Sequence, residues 1–228
     1  MAIPAPSSSA RAVVTGASSG IGRELARALA ARGHSLIVVA RRGELLEELA
    51  AELRSDTVAV EIRAVDLSVS EAVEVLAAEL AGREISILCN NAGIATFGPV
   101  SELDAEYERA QVRLNATAVH DLTLAVLPQM VERGSGGILM VGSAAGNMAI
   151  PNNATYAATK VNGVAALHSQ LLRDKVRLAF ALLGALFMLP AAIFLLFFLT
   201  YPLGLGVWLG FTDTRIGREG VFIGLENY

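Results

Sequence analysis

The feature that most constrains this chain is an alternation. Through about Leu172, short continuous apolar runs are separated by longer segments whose apolar residues recur at helical spacing. The runs are "AVVTG" (12–16), "SLIVVAR" (35–41), "VAVEIRAVDL" (58–67), "ISILCNNAG" (85–93) and "GGILMVGSAAG" (136–146). Helices are predicted at 20–33, with Gly33 at its C-terminal stop, at 43–56 and at 71–82. Helix-rich sequence follows to Arg133, and a last helix starts near Thr155. Strands that are apolar on both faces belong in a parallel sheet with helices covering each side. The connections are then right-handed crossovers.

The net charge of −4, with no lysine or arginine block, gives no footprint for nucleic acid. One cysteine, Cys89, excludes an internal disulfide and fits a reducing compartment. It lies in an apolar run and reads as a buried strand residue. His34, His120 and His168 are scattered, so no metal site is expected. The opening "MAIPAPSSSARA" lacks the apolar core of a secretory signal. That absence argues against glycosylation at Asn115-Ala-Thr117 and Asn153-Ala-Thr155.

"TGASSGIG" (15–22) sets Gly16, Gly20 and Gly22 between the first strand and the first helix. Glycines there let the backbone turn tightly and approach a pyrophosphate, and the helix N-terminus offers free N–H groups to the anion. The second strand ends in Arg41 and Arg42, with no acidic residue. An acid at this place holds a ribose 2′-hydroxyl, whereas arginine pairs with a 2′-phosphate, so NADP(H) is favoured over NAD(H). The other reading is that one or both arginines are simply solvated. Asp66, after the third strand, is either an adenine contact or a turn residue.

"YAATK" (156–160) places Tyr156 and Lys160 four apart, on one helix face. A tyrosine ordinarily titrates near 10, and a neighbouring ammonium favours its phenolate and brings proton transfer within reach of neutral pH. Ser143 follows the fifth strand, where a hydroxyl can hydrogen-bond a substrate oxygen.

In order and spacing, "TGASSGIG", "VDL" (65–67), "NNAG" (90–93), Asn115 in "VRLNATAV", Ser143 in "VGSAAG" and "YAATK" resemble the short-chain dehydrogenase/reductase family over about residues 11–172. The resemblance implies a Rossmann-type doubly wound sheet of order 3-2-1-4-5-6-7. It also implies hydride transfer between nicotinamide and the carbonyl or alcohol carbon of a small substrate. By that likeness Tyr156 is the general acid/base, Lys160 lowers its pKa and holds the nicotinamide ribose, Ser143 orients the substrate oxygen, and Asn115 supports a water-linked proton relay. The implied cofactor contacts are Gly16, Ser18, Ser19, Gly20, Ile21, Gly22, Arg41, Arg42, Asp66, Leu67, Asn91, Ala92, Gly93, Tyr156 and Lys160. Which asparagine of "NNAG" supports the strand and which lines the pocket stays open. Intact members associate through helices beside the active site, so a homo-oligomer is the default for such a relative.

The C-terminal part reads differently. From Leu178 to Thr212 there is no charged residue or histidine, more than the roughly 20 residues that cross a bilayer. Tyr201 and Trp208 suit an interface, and Arg173, Lys175 and Arg177 before the run weakly favour a cytoplasmic N-terminus. Residues 171–228 resemble the first span of a sugar-type ABC importer permease through "YPLGLGVWLGFTDT" and "FIGLENY". The expectation is therefore a chimera joined between 167 and 177. Residues 1–172 form the nucleotide-binding domain, truncated after its fifth strand, and 173–228 form a transmembrane-like apolar helix with a short polar tail. Membrane insertion through about 178–210 tethers a cytoplasmic catalytic part. Weak NADP(H) affinity with little or no turnover follows, the alternative being a non-functional chimera or a permease fragment.

Overall fold

The computed structural model describes residues 3–148 and 150–160, and the backbone of 177–181. The chain divides into two compact units, Met1–Leu183 and Gly184–Tyr228, the second lying outside the described residues.

Six strands form one sheet: β1 (Arg11–Thr15), β2 (Leu36–Ala40), β3 (Val60–Ala64), β4 (Ile85–Asn90), β5 (Gly137–Val141) and β6 (Arg177–Ala181). Their order is β3-β2-β1-β4-β5-β6 and every pairing is parallel. Three helices connect the first four strands: α1 (Gly20–Ala30), α2 (Gly43–Leu53) and α3 (Ser70–Ala81). Between β4 and β5 one long helical body runs in three parts, α4 (Ala105–Val112), a π turn (Arg113–Thr117) and α5 (Ala118–Arg133). Residues 154–160 form a sixth helix, α6.

The pleat of the strands explains the two-sided core. Val13 and Val14 are both fully buried yet belong to opposite faces. Val13, Ile37, Leu88 and Ile138 pack with Leu76 and Leu80 of α3 and Leu122, Val126 and Met130 of α5. Val14, Leu36, Val38 and Ile87 pack with Leu29 of α1 and Leu46 and Leu49 of α2. Each such side chain contributes about 1.5–3 kcal/mol when fully buried. Local signals set the helix ends. Asp104 caps α4, its carboxylate accepting the Tyr107 N–H at 2.7 Å. Gly134 ends α5 in the left-handed region, at φ 63°. Gly33 does the same just past α1, at φ 86°, as its position in the sequence predicts.

The expectations for the C-terminal part require correction. The sheet does not stop at its fifth strand. β6 pairs with β5 along its whole length, Gly137 opposite Arg177 through Val141 opposite Ala181. This strand covers the end of the expected join and the start of the expected membrane span, so Leu178–Ala181 extend a sheet rather than open a transmembrane helix. Among the described residues no helix is long and apolar enough to cross a membrane. Residues 182–210 of the expected span lie outside the described residues. The truncation, the chimera, the inactivation argued from them and the membrane tether therefore lose their basis. The physical reason for the misreading is shared composition: a strand of a parallel sheet and a bilayer span can both read as apolar sequence without charge.

Candidate active site

The phosphate turn follows β1 directly. Gly16 and Gly20 both have positive φ, 69° and 56°. Gly22 is fixed by space instead: a Cβ there would lie 2.2 Å from the Gly16 carbonyl oxygen and 2.4 Å from Asn91 Nδ2. A Cβ on Gly16 would meet Asn91 Nδ2 at 2.8 Å and Ala92 Cα at 2.9 Å. The turn is thus pressed against the end of β4. Thr15 fastens the two, its Oγ1 donating to the Cys89 carbonyl at 3.2 Å and accepting the N–H groups of Asn91 and Ala92, each at 3.0 Å. Asn91 Nδ2 donates to the Thr15 carbonyl at 2.9 Å. Asn90, the other candidate, points into the core and donates to Thr123 Oγ1 at 3.1 Å. Asn91 braces the turn and lines the larger cleft, while Asn90 braces the strand against α5 and lines the smaller cavity beside Lys160.

A cleft of about 240 Å³ opens along the C-terminal ends of β1, β2 and β4. It is lined by Gly16, Ser18, Ser19, Arg41, Arg42, Asp66, Leu67, Asn91, Ala92 and Gly93, ten of the sequence candidates. Gly20, Ile21 and Gly22 do not line it and form the start of α1 behind the turn. Arg42 reaches across the cleft and donates through Nη2 to Ser18 Oγ at 3.1 Å and Ser19 Oγ at 2.9 Å. Arg41 is exposed and faces Asp66 at 3.9 Å. Burial pushes the Asp66 carboxyl up, but the Ser68 O–H and N–H, at 2.7 and 2.9 Å, and the Arg41 charge hold it below the usual range overall.

Beyond Gly93 the lining changes from the glycine turn to the Lys160 amine and the Asn115 amide. A Cβ on Gly93 would touch Lys160 Nζ at 3.2 Å and Asn115 Oδ1 at 3.3 Å, so Gly93 admits both groups to one spot. Lys160 Nζ donates to the Val141 carbonyl of β5 at 3.4 Å and lies 5.7 Å from the Tyr156 ring centre. Burial lowers the pKa of Lys160 from the ordinary lysine value. Asn115 sits in the π turn, a helix irregularity that recurs at functional sites. Its Oδ1 accepts the Ile94 N–H at 3.0 Å, and its Nδ2 donates to the Ile94 carbonyl at 2.8 Å and Thr159 Oγ1 at 3.1 Å. Asn115, Thr159 and Lys160 share a small cavity of about 20 Å³ with Ala92, which also lines the larger cleft. Ser143 caps a short 3₁₀ turn, its Oγ accepting the Ala145 N–H at 3.2 Å. Among the described residues no cluster suited to a metal ion occurs.

The sequence profile of the short chain dehydrogenase family matches residues 10–184, passing straight over the expected join. The chain belongs to the short-chain dehydrogenase family. The very-long-chain 3-oxoacyl-CoA reductase of Podospora anserina is 40% identical over 155 residues, 65% of this chain and 46% of that protein. The human protein of the same name is 34% identical over 173 residues, 73% of this chain and 54% of its own length. The chain thus spans about half the length of the curated relatives it matches. Two solved structures are similar, each with a TM-score of 0.70. A metagenomic short-chain oxidoreductase in complex with NADP is 32% identical, covering 78% of this chain and 82% of that one. A short-chain dehydrogenase from Sphingobium yanoikuyae in complex with NADPH is 35% identical, covering 75% and 70%.

Sequence reasoning missed Thr15 and Thr159. Thr15 directly precedes the glycine turn and Thr159 directly precedes the lysine, but nothing local marks a threonine as a tie between segments. Their roles exist only through partners distant in the chain.

Proposed function

We propose that this chain is an NADP(H)-dependent oxidoreductase that moves hydride between nicotinamide and the carbonyl or alcohol carbon of a small substrate. The observation that carries this reading is the continuity at Ala92 and Gly93. The Arg42-lined cleft and the Lys160–Asn115 pair meet there, so a dinucleotide laid along the cleft would bring its far end to the proton-handling group.

The cofactor is NADP(H). The cleft fits it on two counts. Its glycine cradle admits a pyrophosphate where any side chain would collide. Arg42, Ser18 and Ser19 form a cationic, donor-rich cluster at the end of β2 suited to a 2′-phosphate. The two similar structures named above were solved with NADP and NADPH. Bound there, the cofactor supplies or accepts the hydride.

The rest of the chemistry belongs to the protein. In the reducing direction Tyr156 donates its phenolic proton to the substrate oxygen. Lys160, protonated beside the ring, stabilises the phenolate that remains and returns a proton to it. Asn115 fixes the Ile94 backbone and the α6 residue Thr159, which holds Lys160 in register with Gly93. Ser143 orients the substrate oxygen. The matches to 3-oxoacyl-CoA reductases make a 3-oxoacyl thioester the first carbonyl to test.

The test uses NADPH carrying deuterium at the transferable C4 position, incubated with the protein and a panel of ketones and 3-oxoacyl thioesters. Deuterium on the carbinol carbon of the product supports the reading. NADPH binding without label transfer to any carbonyl contradicts it.

A further inference from the structure

One wall of the large cleft is the turn that follows β3, where Asp66 and Leu67 line the space. Residues 66–69 close on themselves. The Val69 N–H donates to the Asp66 carbonyl at 3.2 Å, and one Asp66 carboxylate oxygen accepts both the N–H and the O–H of Ser68. Such local bonds set the shape of a turn. They do not set where the turn stands against the rest of the wall.

A tie to that wall comes from the π turn, 45 residues further along the chain. Arg113, the first residue of the π turn, donates through Nε to the Ser68 carbonyl at 2.8 Å. Its Nη2 pairs with Glu106 of α4. A planar guanidinium engaged on both sides is a more rigid spacer than a lysine would be. The next two residues are buried and reach the site itself. Leu114 lines the cleft with Asp66 and Leu67, and Asn115 meets Lys160 at Gly93. One short helical stretch thus touches the Asp66 wall through Arg113 and the Lys160 end through Asn115.

We propose that Arg113 is a positioning residue for the adenine half of the cofactor, holding the turn at 66–69 in register with the π turn. The proposal rests on the NADP(H) cleft assigned above. Arg113 does not line that cleft, so it acts through the Ser68 carbonyl. Without its side chain the turn keeps its internal bonds but loses this tie to the π turn. Asp66 and Leu67 then stand in place only part of the time. Affinity for an adenine ligand falls by that fraction, because binding must order the turn as well.

The test uses the full chain and adenosine 2′,5′-bisphosphate, the adenine-side fragment of NADP. Arg113→Met, Arg113→Lys and Glu106→Gln are set beside wild type. Titration calorimetry gives the affinity, hydrogen exchange of the free protein reads the amides of residues 66–69, and the unfolding midpoint reports on folding. Arg113→Met is expected to weaken binding about 10-fold, the scale of one hydrogen bond to a charged group. Exchange rises at 66–69 while the midpoint stays close to wild type. Arg113→Lys, the milder change should the first variant fold poorly, gives a smaller loss in the same direction. Glu106→Gln keeps the Ser68 bond and binds like wild type. Unchanged affinity in both Arg113 variants overturns the proposal. Weakened binding with unchanged exchange at 66–69 also overturns it, since that marks the loss of a charge alone. An equal loss in Glu106→Gln, or exchange that rises throughout the chain with a lowered midpoint, does the same. If wild type does not bind the bisphosphate, the cofactor assignment itself has failed and the role of Arg113 falls with it.

Discussion

On the function proposed above, Arg42 is the side chain through which cofactor choice should move. Its hydrogen bonds to Ser18 and Ser19 hold the guanidinium over the phosphate turn before any ligand arrives. A hydrogen bond to a charged group is worth about 1.5–3 kcal/mol, so Arg42→Ala should weaken NADPH binding about 10- to 100-fold. NADH binding should change little, and titration calorimetry with both nucleotides checks this. Tyr156→Phe should lower kcat about 10²- to 10⁴-fold with NADPH affinity unchanged, as steady-state kinetics with parallel titration would show. Lys160 adds a pH signature. Burial lowers its pKa from 10.5, so its proton leaves at lower pH than that of a free lysine. The alkaline limb of kcat/KM, which reports the free protein, should therefore fall below pH 10.5. The sequence singles out these residues because their signals are local, set by spacing within a turn or a helix. Asn115 was legible only as a likeness, since its partners Ile94 and Thr159 come from other segments. The same is true of Thr15, which joins β1 to β4.

Elements are held in place here by close approach and by charge. The β1–α1 junction depends on Gly22, where a methyl group would sit 2.2 Å from the Gly16 carbonyl. Gly22→Ala should cost about 1–3 kcal/mol, as overpacking does, and shift the urea midpoint at unchanged m-value. At the other end of the sheet, Glu61 of β3 bonds Arg83 before β4 and Arg11 of β1, while Glu79 of α3 bonds Arg63. The Arg83 hydrogen bonds above all, then the one from Arg11, lower the Glu61 carboxyl to about 2. A carboxyl with a depressed folded pKa adds stability above its unfolded value, and that stability is lost as pH falls toward the folded one. The gap in unfolding free energy between wild type and Glu61→Gln should accordingly be full at neutral pH and shrink from about pH 4.5 down to about 2. The strands and helices were legible because period and punctuation agree from β1 through β5. β6 was not, because Leu178–Ala181 open an uncharged run whose composition fits a bilayer span as well as a strand.

The molecule's described part is one parallel sheet with a helical layer on each face, and its site lies along the C-terminal ends of β1, β2, β4 and β5. The match from residue 10 to 184 and the sixth strand together show a short-chain dehydrogenase sheet that continues past the expected join. What misled the sequence reading was a change in composition, taken for a boundary between unrelated proteins. Apolar content alone carries no information about register, and pairing between β5 and β6 is a property of register. The decisive measurement is NADPH consumption by the full chain with a panel of ketones and 3-oxoacyl thioesters, run beside Tyr156→Phe. Saturable turnover that Tyr156→Phe abolishes is the result expected. NADPH binding with no turnover on any carbonyl, or equal turnover in the two proteins, would contradict it.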